Sequence, residues 1–315
     1  MKWWQYPDGD LAALGPQRSG LRFAGPGVER VERAGEADVL VVPVPLTAMP
    51  ETKYFSVLPY WRGRESAHVA LDVSDHPDDA ERSRGAFMYE GCRAMLIRCN
   101  MRPWMASAAP NSLSCAWPTW APDLDAIAES GEPEFTHDVG YHAWLYSDAR
   151  KAAWASLTGP AGVGLRLDAK GHADFSGYLP PGGEEWKRRW AAFALSQRRC
   201  RLQICPQSIP GVFPYRTFET MCAARVPVCF SSGHVWPFAD EIPWSEFTFT
   251  FPADNASKAA EIVKMILALT SDARLAEMGR LGRKWFLDRL DNRRWPEIHA
   301  LMVERKARQL GLVRP

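Results

Sequence analysis

The hydrophobic positions of this chain fall into short apolar runs that are separated by longer amphipathic segments. Three runs in the first half, at residues 37–45, 68–73 and 94–98, are rich in valine, leucine and isoleucine. A short and nearly continuous apolar run is typical of a parallel strand that is buried on both faces. The first half is therefore predicted to contain a parallel sheet with connecting helices.

The second half repeats the alternation of strands and helices. Strands are predicted at residues 164–167, 202–205, 226–230 and 247–251, and helices at residues 148–157, 184–197, 216–224, 257–269 and after Ser271. Asn255 or Ser257 is the predicted N-cap of the fourth helix, because a side-chain oxygen there accepts a hydrogen bond from a free helix N–H group. The pattern predicts an α/β fold whose ligands bind beyond the carboxyl ends of the strands.

The length of the chain predicts more than one domain. A single hydrophobic core rarely serves 315 residues, so two domains of ordinary size are expected. We predict a Rossmann-like domain over residues 1–155, a second over residues 156–285, and a last helix over residues 286–315 that packs back toward the first domain. The two Rossmann-like domains are predicted to face each other across a cleft.

Composition and charge place the chain among soluble globular proteins, with 46% hydrophobic and 24% charged residues. The formal net charge of +1 gives no overall attraction to nucleic acid or to a membrane surface. No apolar stretch reaches the length of a membrane span, and the start lacks the apolar core of a secretion signal. Seven cysteines without a close pair indicate reduced thiols. We expect a cytoplasmic protein, bacterial or viral, with no membrane partner.

The segment of residues 206–219 carries the strongest chemical signal. A loop rich in glycine and proline precedes a predicted helix that begins at Arg216 and carries Glu219 one turn later. A guanidinium can grip a diphosphate through its planar fork, and free N–H groups at a helix N-terminus favour the same anion. Glu219 can accept hydrogen bonds from a ribose. The alternative is an ordinary surface ion pair between neighbouring helical turns.

Five further residues are candidates for the same anion site. Ser208 and Gly211 lie in the preceding loop, and Arg150 supplies a second cation from a predicted helix. Ser231 and Ser232 follow the next strand, so their loop borders the same edge of the sheet. The structural alternatives are turn residues for the serines and the glycine, and a helix-surface charge for Arg150.

Several blocks of the chain, taken in order, resemble the exostosin-type glycosyltransferases of family 47, which have the GT-B fold. The matching blocks are residues 37–43, 59–69, 75–77, 94–98, 138–150 and 206–238. The last block is the best, since it joins the Pro-Gly loop, the Arg-x-x-Glu pair and a Val-Pro-Val strand. Ala67 departs from the family, which has an aspartate before the histidine at this point.

The resemblance implies an enzyme that moves a hexose or pentose from a nucleoside-diphosphate sugar to an acceptor hydroxyl with inversion. Arg216 would bind the diphosphate and Glu219 the ribose, with a UDP-sugar as the favoured co-substrate and neither metal nor cofactor. The acceptor would be a glycan. Because of Ala67, the alternative is a catalytically inactive protein of the same fold that binds a glycan or nucleic acid. A different GT-B reaction, such as epimerisation of a nucleotide-sugar, is a further alternative.

Transfer with inversion needs a general base for the acceptor hydroxyl and a cation for the leaving diphosphate. His68, Asp75 and His76 follow or begin one predicted strand and are the candidate bases. Asp75 and His76 also fit ordinary turn chemistry before a proline, and Asp138 and His142 stay open as other candidates. The spacing of these acids and histidines matches no metal-ligand pattern, so no metal site is predicted.

Two basic clusters suggest a second acceptor. The clusters are Lys187, Arg188, Arg189, Arg198, Arg199 and Arg201, and Arg280, Arg283, Lys284, Arg289, Arg293 and Arg294. Cations at this density can follow a phosphate backbone, and the acceptor would then be a hydroxymethylated base of phage DNA. The favoured alternative is two solvated helix faces balanced by acidic residues elsewhere.

Overall fold

The computed structural model describes residues 1–7, 21–43, 58–72, 93–98, 107, 110–115, 121–131, 133–172, 183–209 and 211–313. The chain divides into two compact units. The first comprises Met1–Ala116, His234–Phe238 and Arg293–Pro315, and the second comprises Trp117–Gly233 and Ala239–Asn292.

The first unit is built on a parallel sheet, which has six strands within the described residues. The strands are β1 (Lys2–Gln5), β2 (Glu29–Arg30), β3 (Val39–Val42), β4 (His68–Asp72), β5 (Met95–Arg98) and β6 (Leu113–Ser114). They lie in the order β2-β1-β3-β4-β5-β6. All four residues of β3 are fully buried, because branched apolar side chains pack on both faces of a central parallel strand.

The second unit has a parallel sheet of five strands within the described residues. The strands are β7 (His137–Trp144), β8 (Leu167–His172), β9 (Cys200–Pro206), β10 (Val226–Phe230) and β11 (Phe249–Phe251). Their order is β8-β7-β9-β10-β11, so the chain runs outward from β7 in one direction and then in the other. This reversal between β7 and β9 is a topological switch point, where doubly wound sheets form a ligand crevice.

Seven α-helices are described. They are α1 (Pro122–Glu129), α2 (Asp148–Thr158), α3 (Glu184–Arg199), α4 (Arg216–Cys222), α5 (Ala259–Leu269), α6 (Asp272–Trp285) and α7 (Trp295–Gln309). A π-helical turn, Phe286–Leu290, follows α6, and a 3₁₀ turn, Ala253–Lys258, precedes α5. The side chain of Ser271 caps α6 by accepting a hydrogen bond from the Arg274 N–H group at 3.2 Å.

The helix α3 packs closely against the second sheet at one glycine. A Cβ atom built on Gly140 of β7 would lie 2.5 Å from the amide of Gln203 and would also overlap the Ser196 hydroxyl. The Gln203 amide donates to the Ser196 carbonyl at 3.0 Å. The absence of a side chain at Gly140 therefore allows β7, β9 and α3 to share one polar contact in the core.

The predicted fold class is confirmed, since both units are α/β with parallel, Rossmann-like sheets. Some element bounds differ from the prediction. The strand predicted at residues 164–167 is Leu167–His172. The predicted N-cap at Asn255 or Ser257 is wrong, because α5 begins after Lys258 and has no side-chain cap.

The division into units differs from the predicted boundary at residue 155. Strand β7 belongs to the second sheet because it pairs with both β8 and β9, and the second unit therefore starts at Trp117. The predicted cleft concerns the relative placement of the two units and stays a prediction.

The described cysteines and helices add two findings. Cys115, Cys200, Cys205, Cys222 and Cys229 are all free thiols and all buried. None of the helices in the described part of the chain has the length and apolar character that a membrane crossing requires.

Candidate functional site

A crevice of about 660 Å³ opens at the carboxyl edge of the second sheet. Its walls come from the segment that joins β7 to α2, from the segment after β9, and from the turn after β11. The polar and aromatic residues that line it are Tyr146, Ser147, Asp148, Gln207, Ser208 and Asp254. The crevice thus lies at the switch point between β7 and β9, and its volume lies within the range that small ligands occupy.

Hydrogen bonds from Gln207 and Ser232 hold the walls of this crevice together. The Gln207 N–H group donates to the Phe230 carbonyl at 2.9 Å, and the Gln207 carbonyl accepts from the Ser147 hydroxyl at 3.2 Å. The Gln207 side-chain oxygen accepts from the Ser232 N–H group at 2.9 Å, and the Ser232 hydroxyl accepts from the Ala253 N–H group at 3.0 Å. The ends of four strands are therefore fixed relative to one another.

Arg216 and Glu219 form an ion pair at the start of α4. The Arg216 Nη1 atom lies 2.7 Å from a Glu219 carboxylate oxygen, and the guanidinium carbon lies 3.8 Å from the centre of the Phe193 ring. Such an ion pair between neighbouring helical turns is the alternative to a binding site that the sequence left open. The pair uses only one of the five N–H donors of the guanidinium, however. Because α4 has only seven residues, the site depends on the guanidinium rather than on a helix dipole.

Arg150 is a second cation beside the crevice. Its Nη1 atom donates to the Trp144 carbonyl at 3.3 Å, and its guanidinium lies 4.6 Å from the centre of the Tyr146 ring, which lines the crevice. No carboxylate of the described residues forms an ion pair with it. Burial lowers the pKa of Arg150, Arg216 lowers it further and Glu219 raises it. Arg150, Arg216 and the Glu219 carboxylate therefore lie close to one another, while the carboxylates of Asp148 and Asp254 line the crevice itself.

The remaining predicted donor-binding residues lie in the loops after β9 and β10. Ser208 lines the crevice. Gly211 has a positive φ of 80° and donates from its N–H group to the Ser232 carbonyl at 3.2 Å. Ser231 is 6% exposed, and its hydroxyl has no hydrogen-bond partner in the described part of the protein. Of these residues only Ser208 lines the crevice, and the binding roles of all of them stay predictions.

His68 is a core residue, which corrects its prediction as a candidate base. Its side chain is fully buried, and its ring nitrogens lie 2.8 Å from the Tyr6 hydroxyl and 2.9 Å from the Arg64 carbonyl. Burial lowers its pKa to about 4. An enclosed imidazole with both nitrogens engaged has no access to an acceptor hydroxyl. The other two candidates, Asp75 and His76, lie outside the described residues.

Asp138 and His142 are engaged in structural contacts on β7. Asp138 accepts hydrogen bonds from the side chains of Arg166 at 2.8 Å and Arg201 at 2.5 Å. His142 lies 3.1 Å from a carboxylate oxygen of Asp168, and this contact lowers the pKa of Asp168. The Asp138 carboxylate is thus occupied by two arginines, whereas the Asp168 contact engages only the Nε2 atom of His142, so His142 stays open as a candidate base.

Most cations of the first basic cluster and at least half of those of the second form ion pairs with acidic neighbours. In the first cluster the ion pairs are Lys187–Glu184, Arg188–Glu185, Arg189–Glu185, Arg199–Asp168 and Arg201–Asp272, and in the second they are Arg283–Asp125, Arg289–Glu241 and Arg294–Glu297. Cations that are already paired offer little to a phosphate backbone. In the part of the chain that is described, no cluster of histidine, cysteine and acidic side chains could hold a metal ion.

Several crevice residues were not identified from the sequence. Tyr146, Ser147 and Asp254 come from separate segments that meet only because β7, β9 and β11 share one sheet edge. Gln207 lies within the segment that carries the strongest motif, but an isolated glutamine after a strand has no chemical signature. The only available signal was its position directly after a buried parallel strand.

The fold and the site together define a doubly wound α/β protein with a crevice at the switch point of its second sheet and two arginines beside that crevice. No family model matches the chain, and no curated protein matches it either.

Some solved structures are distantly similar to it. One is Alr3699/HepE from Anabaena in complex with UDP, at 12% identity over 89% of this chain and 80% of that chain, with a TM-score of 0.47. Another is sucrose-phosphate synthase from Thermosynechococcus elongatus, at 13% identity over 78% of this chain and 68% of that chain, with a TM-score of 0.44. A glycosyltransferase from Rickettsia africae has 10% identity over 87% of this chain and 76% of that chain, with a TM-score of 0.43. Likenesses this distant do not assign an activity to the chain.

Proposed function

We propose that this protein is a glycosyltransferase that moves a sugar from a nucleoside-diphosphate sugar to an acceptor hydroxyl. The observation that carries the proposal is the position of Arg150 and of the Arg216–Glu219 ion pair beside a crevice at the switch point of a doubly wound sheet. Two arginines next to a crevice of this size suit a ligand with one anionic part and one uncharged part. A nucleotide-sugar has this composition.

In this proposal the guanidinium groups of Arg216 and Arg150 bind the diphosphate. Both are held against aromatic rings, Phe193 and Tyr146, so their planes are fixed before the ligand arrives. Fixed cations stabilise the negative charge that develops on the leaving diphosphate when the bond to the sugar breaks. Glu219 lies one helical turn from Arg216 and accepts hydrogen bonds from the ribose hydroxyls.

The rest of the reaction is assigned by role. The second unit holds the donor, and the first presents the acceptor and the general base, with Asp75 or His76 as that base. Transfer proceeds with inversion. Arg150 and Arg216 stabilise the leaving diphosphate, which a metal ion would otherwise do. The exostosin type and a UDP-sugar donor remain the specific form of the proposal, since the best sequence block begins at the last residue of β9 and contains α4 and β10.

A glycan is the proposed acceptor. Modified DNA is the weaker choice because most cations of the first basic cluster, and several of the second, are engaged in ion pairs. An uncharged polyhydroxyl acceptor does not need unpaired cations in order to bind.

Calorimetric titration with UDP tests the diphosphate site. Arg216→Ala should weaken UDP binding about tenfold or more, because one charge-assisted contact contributes about 1.5–3 kcal/mol. Arg274→Ala is the matched control, since Arg274 forms the same kind of ion pair with Glu277, at 2.8 Å on the exposed surface of α6. The control should bind UDP as the wild type does.

Equal UDP affinity in the wild type and Arg216→Ala would remove Arg216 from the site.

Turnover is tested with the same protein by following UDP release from a UDP-sugar. Binding without any release, over a panel of glycan acceptors, would favour the inactive binding protein over the enzyme.

A further inference from the structure

One amide in the wall of the crevice has an unused donor. Gln207 is 7% exposed and lines the crevice. Its side-chain oxygen accepts the Ser232 N–H group at 2.9 Å, which fixes the orientation of the amide. Within the described residues the Nε2 atom has no hydrogen-bond partner. A ligand that fills the crevice would exclude water from this N–H₂ group, so it should carry an acceptor atom for it.

The charges around the crevice indicate which part of the ligand enters it. Asp148 and Asp254 both line the crevice, whereas Arg150 and Arg216 are not among its described lining residues. Two carboxylates repel a diphosphate but accept hydrogen bonds from neutral N–H or O–H groups. The diphosphate therefore belongs beside the crevice, near the arginines, and an uncharged part of the ligand belongs inside it.

We propose that the crevice binds the nucleobase of the donor and selects a base that carries a ring carbonyl next to a ring N–H group. Uracil and guanine have this pair of groups, and adenine has no carbonyl. Gln207 donates to the carbonyl, and Asp148 or Asp254 accepts from the N–H group, while the Tyr146 ring offers a flat apolar wall. This inference rests on the proposed function, because it takes the ligand to be a nucleoside diphosphate.

The experiment is calorimetric titration of the full chain with UDP, GDP and ADP. The wild type is expected to bind UDP and GDP about tenfold or more tightly than ADP, because a site built for a hydrogen bond rejects the analogue that lacks it. The key variant is Gln207→Glu, which keeps an oxygen for the Ser232 N–H group but removes the donor. Because the added carboxylate repels the diphosphate of all three nucleotides alike, the measure is the difference between them. The affinity for UDP and GDP should fall about tenfold more than the affinity for ADP, while the thermal unfolding midpoint stays near that of the wild type.

The outcomes separate this inference from the proposed function. If the wild type binds all three nucleotides equally, base selection is overturned and the diphosphate site stands. If folded Gln207→Glu keeps the UDP affinity of the wild type, the role of Gln207 is overturned. If the wild type binds none of the three, the proposed function fails and this inference fails with it. Titration of the wild type with the three nucleotides tests base selection even if the variant does not fold.

Discussion

Burial fixes the protonation state of His68. The imidazole is fully enclosed, contacts the Trp61 ring at 4.8 Å, and uses both nitrogens in hydrogen bonds to Tyr6 and Arg64. Desolvation is the main cause of its lowered pKa, because a charged ring loses its hydration in this position. The residue therefore stabilises the first unit as a neutral imidazole.

This lowered pKa predicts a dependence of stability on pH. The pKa of His68 falls from 6.5 to about 4 on folding, so the unfolded chain binds a proton that the folded chain excludes between these values. The contribution is fully present above pH 6.5 and is lost as the pH falls toward 4, by about 3 kcal/mol in the free energy of unfolding. Urea denaturation at several pH values measures it.

His68→Gln is the informative variant for this test. It should be less stable than the wild type at pH 7, and the difference should shrink as the pH approaches 4. A constant difference across this range would show that His68 does not titrate as its burial implies.

At the candidate site, sequence motifs identified residues but not their neighbours. The Arg-x-x-Glu spacing located Arg216 and Glu219 because both lie on one helical turn, where local sequence dictates proximity. The crevice could not be predicted in the same way, because Tyr146, Gln207 and Asp254 are distant in sequence and meet through strand order alone. His68 was misassigned because its chemistry is visible in the sequence and its burial is not.

At the scale of elements, packing between β7 and α3 depends on Gly140. Replacing Gly140 with alanine would place a methyl group 2.5 Å from the Gln203 amide. The expected result is a loss of about 1–3 kcal/mol in the free energy of unfolding, as for other overpacked core positions. Chemical denaturation measures this loss, and the displaced Gln203 amide should also open its hydrogen bond to Ser196.

Gly35→Ala is the matched control for this prediction. A Cβ atom at Gly35 meets nothing within 4 Å, and its φ angle is not in the left-handed region. The control should be neutral or slightly stabilising, by up to about 1 kcal/mol. Similar losses in the two variants would indicate a general intolerance of alanine rather than crowding at Gly140.

The elements that the sequence predicted are those with the clearest local patterns. Val39–Val42 and Val226–Phe230 are continuous apolar strands with every residue buried, and Ser271 is a typical helix cap. Strand β7 was not predicted because His137–Trp144 mixes polar and aromatic residues without alternation. The strands Glu29–Arg30 and Leu113–Ser114 have two residues each, so they are too short to show any period.

At the scale of the whole molecule, the distribution of charge predicts weak contact with nucleic acid. The net charge is +1, and most described cations of the first basic cluster are paired with acidic residues. Fluorescence anisotropy with a labelled DNA duplex at physiological salt should show no binding tighter than about 10⁻⁴ M. Micromolar binding with a steep salt dependence would restore DNA as a candidate acceptor.

The chain returns to its first unit at the end, and this has a consequence for synthesis on the ribosome. Helix α7 packs against β5, its Pro296 carbonyl accepts from the Ala24 N–H group at 3.1 Å, and Lys306 donates to the Pro110 carbonyl at 3.0 Å. The second unit, in contrast, has all its residues once position 292 has emerged. The second unit is thus able to fold before the first, because β5 is covered by α7 only after residues 293–315 have been translated.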